Sequence, residues 1–256
     1  MKNIVVSLLL SFQFFTSIPI RKQFTMNRNT VTGMFIWLPI ISLLMGMSNG
    51  MLFFLNNEYF QFSPLLLAII LVIAGIAMSG GLHLDGWIDM CDAYFSYQDQ
   101  KKRLEILSDP RVGAFGAIGL IVILLLKIGF YYEVLTSDVN HIVYLILIPF
   151  ISRIAMLLYF LTMQTAKTDG LATYFKTNVI HKYIFISIVI YIILIFGVAI
   201  YIESFTIFLL MFFLLLYYFF YRKWTKKNFG GMTGDLLGAI YESSETLLWG
   251  ALIFFI

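Results

Sequence analysis

The chain has 256 residues, 61% of them hydrophobic and only 12% charged, with 17 Lys and Arg set against 14 Asp and Glu. A soluble domain carries about 25% charged residues, so this composition excludes a water-soluble globular enzyme and indicates an all-α, polytopic integral membrane helix bundle. The single cysteine, Cys91, excludes an intrachain disulfide framework and a zinc site built on several thiolates, and reads as a small packing residue.

In chain order, residues 3–20 are apolar but interrupted by Ser11, Gln13, Thr16 and Ser17, with Pro19 near their end. Only Lys2 precedes them and no A-x-A-like cleavage site follows, which argues against a signal peptide. They read as a retained interfacial or re-entrant helix, with a full span as the alternative. Apolar runs then fall at about 33–55, 63–80, 113–132, 142–163, 183–202, 204–221 and 236–256, which predicts about seven spans in one membrane-embedded domain over 1–256. Arg21, Lys22 and Arg28 precede the first run. Lys101, Lys102, Arg103 and Arg111 follow the second, Lys167, Lys176 and Lys182 the fourth, and Arg222, Lys223, Lys226 and Lys227 the sixth. The alternate connections carry no Lys or Arg. By the positive-inside rule all the basic connections are cytoplasmic, which puts the stretch at 80–116 and the loop at 222–235 on one side.

Residues 80–116 concentrate the acids, bases and glycines of an otherwise oily chain. Asp85, Asp89 and Asp92 stand at i, i+4 and i+7, and at about 100° per residue all three carboxylates fall on one helix face. Like charges so arranged repel, a cost that a hard divalent cation between them removes. Oxygen-only ligands favour Mg²⁺ or Mn²⁺. A solvated acidic face is the plain alternative. Asp99 reads as the N-cap of a short amphipathic helix over Gln100 to Leu107, ended by Pro110. Gly113, Gly116 and Gly119 follow at a spacing that lets helices approach closely, and Gly113, at a helix mouth, could also bring its backbone to a phosphate.

Charges inside the spans are functional candidates by default. Lys127, near the outer end of its run, reads as a snorkelling structural residue. Arg153, in the cytoplasmic half of the fourth run, is a candidate phosphate clamp, with pairing to a buried acid as the alternative. In GGMTGDLLGAIYESSET, residues 230–246, Asp235 and Glu242 are seven apart on one face and form a candidate opposite wall to Asp85. The glycine-rich start could cradle phosphate through backbone N–H groups. His83, two residues before Asp85, belongs with the same stretch, whereas His141 and His181 read as interfacial.

Clustered carboxylates, arginines and glycines at one membrane face suit metal-dependent transfer of a phosphoryl-containing group, with no Ser or Cys nucleophile needed. GGLHLDGWIDMCDA, SDPRVGAFG and GGMTGDLLGAIYESSE, in that order and with FQFFTSIPI ahead of them, closely resemble the cobalamin synthase family (adenosylcobinamide-GDP ribazoletransferase) over nearly the whole chain. The family commonly has Leu where this chain has Trp87, a small pair at Met90–Cys91, and a glycine at Ala93. The resemblance implies transfer of a cobinamide phosphate from a GDP-activated corrinoid to the 3′-hydroxyl of α-ribazole or its 5′-phosphate, with GMP leaving and Mg²⁺ as cofactor. It implies that Asp85, Asp89 and Asp92 hold Mg²⁺, with one of them or Asp235 as general base. Arg111 and Arg153 would bind the diphosphate, Glu242 would shape or complete the metal site, and His83 and Gly113 would bind substrate. The expected partners are the corrinoid nucleotide, α-ribazole and the lipid bilayer of a bacterial or archaeal inner membrane, with no nucleic acid. Self-association is left open. An intramembrane prenyltransferase using Mg-diphosphate and a transporter with an acidic ion site are the rival readings, set back by the lack of a second comparable Asp-rich motif and of an internal repeat.

Overall fold

The computed structural model describes residues 2–139 and 141–256. Among these the chain forms eleven α-helices and no strand. Helix α1 (Lys2–Phe15) has 14 residues, so at about 1.5 Å per residue it is too short to cross a bilayer alone. It lies along α2 (Arg28–Leu55), fastened by the Ser11 hydroxyl, which donates to the Met34 carbonyl at 2.8 Å. Asn27 starts α2 with a reciprocal capping box: its side chain accepts from the Asn29 and Thr30 N–H groups, and the Thr30 hydroxyl accepts from the Asn27 N–H.

Ser63 and Pro64 open α3 (Pro64–Ser79), as an N-cap and an N1 proline should. Its end is set by Gly80 and Gly81, with φ of 65° and 73°, in the left-handed region where a Cβ is costly. These two residues turn the chain by 96° into α4 (Leu82–Phe95). Asp99 caps α5 (Gln100–Ile106) through the Lys102 N–H at 2.9 Å, as the sequence predicts. The remaining helices are α6 (Ala114–Leu135), α7 (His141–Thr162), α8 (Leu171–Thr177), α9 (His181–Tyr201), α10 (Phe205–Phe229) and α11 (Gly234–Leu252).

All seven apolar runs become helices, and not all of them are equally long and apolar. Five helices are long and apolar enough to cross a membrane (α2, α6, α7, α9, α10), or six units if the bent pair α3–α4 is taken as one span. Helix α3 has only 16 residues before its sharp turn, and α11 carries Asp235, Glu242 and Glu245 along its 19 residues. Apolar length alone does not register either a bend or a polar face.

Helix α7 is the centre of the bundle, buried along most of its length from Tyr144 to Phe160. Helices α6, α9 and α10 instead expose broad apolar faces, with Ile121, Leu125, Ile193 and Phe220 among the side chains left uncovered. A helix apolar all round is the expected solution where the solvent is hydrocarbon. Helices α2 and α7 meet at Gly46, where a Cβ would lie 2.8 Å from the Ile146 Cα and backbone oxygen. Small residues at such crossings let backbones touch, which is the main source of helix association in lipid. Gly46→Val should therefore force these helices apart at a cost of about 1–3 kcal/mol. A lower melting temperature in detergent, with the Gly46→Ala variant falling between it and the wild type, is the expected result.

Candidate functional site

Helices α4 and α11 cross with their backbones in contact. A Cβ at Gly86 would lie 2.5 Å from the Asp235 carbonyl oxygen, and one at Gly238 would lie 3.0 Å from the His83 Cα. This crossing makes one wall of α4 and α11 together and brings Asp85 and Asp235 to the same cleft, of about 380 Å³, which His83 also lines. Asp89 follows one turn along α4 on the same face, partly exposed and within electrostatic reach of Asp85, Asp92 and Asp235. Among the described residues none of these four carboxylates has a Lys, Arg or His within ion-pair distance. Asp235 is oriented at the start of α11 by Thr233. That hydroxyl donates to Asp235 Oδ2 at 3.3 Å and accepts from the Leu236 N–H at 3.2 Å.

Asp92 has another use. Its two carboxylate oxygens accept the N–H groups of Gly113 and Gly116, each at 2.7 Å, so it caps α6 from a neighbouring helix. A Cβ on either glycine would strike that carboxylate. The Gly113 N–H is thereby taken up by Asp92 instead of facing a phosphate. Gly119 continues the stripe against Cys91, which is buried, and its carbonyl accepts from Trp87 Nε1 at 2.9 Å. The packing reading of the three glycines holds.

The first part of GGMTG is likewise spent on structure. Gly230 ends α10 at φ 80°, and the Met232 N–H donates to the Gln164 carbonyl at 2.8 Å while the Ala166 N–H donates to the Met232 carbonyl at 2.9 Å. A Cβ at Gly231 would lie 2.6 Å from the Gln164 carbonyl oxygen. The loop therefore holds the segment after α7 against the start of α11, and its Met232 N–H is not free for a phosphate.

Neither arginine faces the cleft as the phosphate clamp expected of it. Arg111 is exposed and forms a fork with Asp109, at 2.9 Å from Nε and 2.6 Å from Nη2, which pulls the Asp109 carboxyl down to about 2. Arg153 is 0% exposed. Its Nε donates to Ser42 Oγ and its Nη1 to His83 Nε2, both at 2.5 Å, and its guanidinium stacks 3.6 Å from the Tyr241 ring. His83 and Met156, which both touch Arg153, line the cleft in front of it.

Glu242 sits two turns beyond Asp235, away from the open acids. Lys127 does not snorkel: its Nζ is buried between Glu242, at 2.5 Å, and Glu245, at 2.8 Å. The outer position of Lys127 in its own run misled, because α11 brings two carboxylates to that depth. Two cations (Lys127, Arg153) and two anions therefore share the interior, with no formal net charge.

The sequence reasoning passed over Lys167, which lines the cleft with Asp85 and Asp235, and Asp169, which follows it there. Their signal was the polar run Lys167-Thr168-Asp169-Gly170 in a basic connection. It also missed a set of phenylalanines from α1, α2, α7 and α8 at the other end of the cleft, which pattern alone cannot distinguish from core.

The donor set fits a hard cation. Asp85 and Asp89 offer unpaired oxygens one turn apart, and Mg²⁺ usually binds one or two carboxylates together with substrate phosphates. Among the described residues no three His, Cys, Asp or Glu side chains form a closed cage, so a cation held here would need further ligands from outside the chain.

A polytopic helical protein with an open carboxylate cleft at the crossing of two glycine-notched helices has the makings of a membrane-embedded, diphosphate-using transferase. Residues 7–253 match the family model described as cobalamin-5-phosphate synthase. The chain is 36% identical to the adenosylcobinamide-GDP ribazoletransferase of Geobacillus sp. (strain WCH70) over 94% of its own length and 92% of that protein's. It is 34% identical to the enzyme so named from Geobacillus kaustophilus, over 95% and 94% of the two chains. A third relative of that name, from Clostridium botulinum (strain 657 / Type Ba4), is 36% identical over 96% of each. No solved structure matches. The chain belongs to the cobalamin-5-phosphate synthase family.

Removing Lys127 would leave two buried carboxylates facing each other, and breaking a buried pair this way costs about 3–5 kcal/mol. Lys127→Met should sharply reduce the yield of folded protein in membranes. Adding Glu242→Gln and Glu245→Gln should restore much of it, measured by size-exclusion profile and melting temperature.

Proposed function

We propose that this chain is an adenosylcobinamide-GDP ribazoletransferase, which moves the cobinamide phosphate from a GDP-activated corrinoid to the 3′-hydroxyl of α-ribazole or its 5′-phosphate. The observation that carries this reading, beside family membership, is the meeting of Asp85 and Asp235 in one cleft with Lys167. In the reaction the hydroxyl oxygen forms a new bond to phosphorus as the P–O–P linkage breaks. The hydroxyl proton goes to a carboxylate, and the electron pair leaves with GMP.

Asp235 suits the role of general base. It stands on α11 beside the Asp85–Asp89 pair of α4 and is oriented by the Thr233 hydroxyl. Asp85 and Asp89 would hold Mg²⁺, which supplies neutralisation of the diphosphate and of the charge that grows on the leaving phosphate. Lys167 takes the phosphate-neutralising part first expected of Arg111 and Arg153. Arg153 serves the site from behind, by holding His83. The four basic connections support a cytoplasmic cleft in a bacterial or archaeal inner membrane.

The test is turnover in isolated membranes with GDP-activated cobinamide, α-ribazole or its phosphate, and Mg²⁺. GMP release with matching cobalamin product, abolished by a chelator and restored by added Mg²⁺, is expected. Asp89→Asn should abolish transfer while the protein remains in the membrane, and Asp235→Asn should lower kcat by about 10²–10⁴-fold. Well-expressed wild-type membranes that make no product from either ribazole form would overturn the reading, and full activity in Asp89→Asn would remove the metal assignment.

A further inference from the structure

The cleft that holds Asp85 and Asp235 has a second, chemically different end. Phe14 and Phe15 from α1, Phe35 from α2, Phe160 from α7 and Phe175 from α8 all line it. They form one connected set of rings: Phe35 stacks on Phe160 with centroids 4.1 Å apart, and Phe175 meets Phe14 at 5.5 Å and Phe35 at 5.7 Å, both edge-on. Phe15 joins this set to the acidic end, lying nearly parallel to the His83 ring at 6.1 Å. Two consecutive helix pairs, α1–α2 and α7–α8, converge from opposite parts of the sequence to make this wall.

We infer that this cleft is the subsite of the acceptor nucleoside, with its base among the phenylalanines and its ribose hydroxyl at Asp85 and Asp235. The inference rests on the transferase reading above and goes on to say which of the two substrates enters. At about 380 Å³ the cleft lies near the lower end of the roughly 300–1,000 Å³ of small-molecule sites, room for a nucleoside but not for a corrin macrocycle.

Three of the polar side chains that line the cleft are already engaged. Thr173 donates to the Lys167 carbonyl at 2.8 Å, His83 Nε2 accepts from Arg153, and Thr233 is held by Leu236 and Asp235. Guanine, with several donors and acceptors on its edges, is not satisfied by these engaged groups and would depend on the exposed Asp169, and stranded polar groups are strongly disfavoured. The base of ribazole is a dimethylated benzimidazole: flat, bicyclic and almost without hydrogen-bonding edges, so stacking and burial alone can hold it. The donor then remains outside, presenting only its diphosphate to the carboxylates and Lys167 at the mouth.

Phe35 and Phe160 are core residues, so the informative variants are at the part-exposed Phe14 and Ala172. Phe14→Ala removes one ring, and Ala172→Phe adds bulk to the cleft without deleting any packing. Steady-state kinetics in nanodiscs, varying each substrate separately, should show KM for α-ribazole raised about tenfold or more in both variants. KM for GDP-activated cobinamide should stay within about twofold in both, and the melting temperature of Ala172→Phe should match wild type. Calorimetry with α-ribazole alone should show the same loss of affinity, and wild-type protein should bind a riboside of adenine far more weakly. A rise in the donor KM with an unchanged acceptor KM would overturn the assignment, as would unaltered α-ribazole binding in Ala172→Phe. Absence of turnover in wild type would count against the transferase reading, while the calorimetric measurement would still decide the subsite.

Discussion

The crossing of α4 and α11 is the constraint on which the site depends. At Gly86 the backbone of one helix rests on the Asp235 backbone of the other, and one turn away Gly238 receives His83. Larger side chains at either glycine would separate the walls of the cleft and take Asp235 away from Asp85. The arrangement gathers negative charge, and three helix starts offset its cost. Asp85 lies in the first turn of α4, Asp235 in the first turn of α11, and Asp92 caps the first turn of α6. Each carboxylate thus sits where the helix dipole favours an anion, by about 0.3–1 kcal/mol at exposed positions.

The interior below the cleft holds α11 in place by a different device. Lys127 from α6 grips Glu242 and Glu245, while Arg153 from α7 lies on Tyr241 one residue away. Burying four charges has a large desolvation cost, which their mutual attraction offsets only in good geometry. What the arrangement secures is register. A slip of α11 by one residue would turn its glutamates away from Lys127 and its Asp235 away from the cleft. The mouth is therefore tied to a polar anchor two turns deeper, and His83 connects the two by accepting from Arg153 while facing the cleft.

The outer helices follow simpler rules. Helices α9 and α10 carry mostly apolar side chains on exposed faces, apart from the basic cluster at the end of α10. The residues of the candidate site reside on α4 and α11 and on the connection after α7. Backbone irregularity in a membrane protein is tolerated where it is buried in protein or lines an aqueous cavity, and the Gly80–Gly81 turn beside the cleft fits that condition.

From the sequence alone the all-α membrane class could be read, because apolar length and the charge content of loops are local properties. So could the carboxylate face of α4, the Asp99 cap and the packing use of the Gly113–Gly116–Gly119 stripe. Each depends only on spacing along one helix. The meeting of the 80–116 and 230–246 segments was also legible, since basic loops placed both on one side. What only the tertiary structure decided is how each polar group is spent. Asp92 and Gly113 satisfy each other, Arg111 turns to Asp109, Arg153 backs His83, and Lys127 takes Glu242. The phenylalanine wall and Lys167 reach the cleft from helices and loops remote in sequence. Periodicity reports the face on which a residue lies, but its partner across a crossing depends on where two backbones touch. Here that is determined by small residues whose importance appears only once the neighbouring helix is in place.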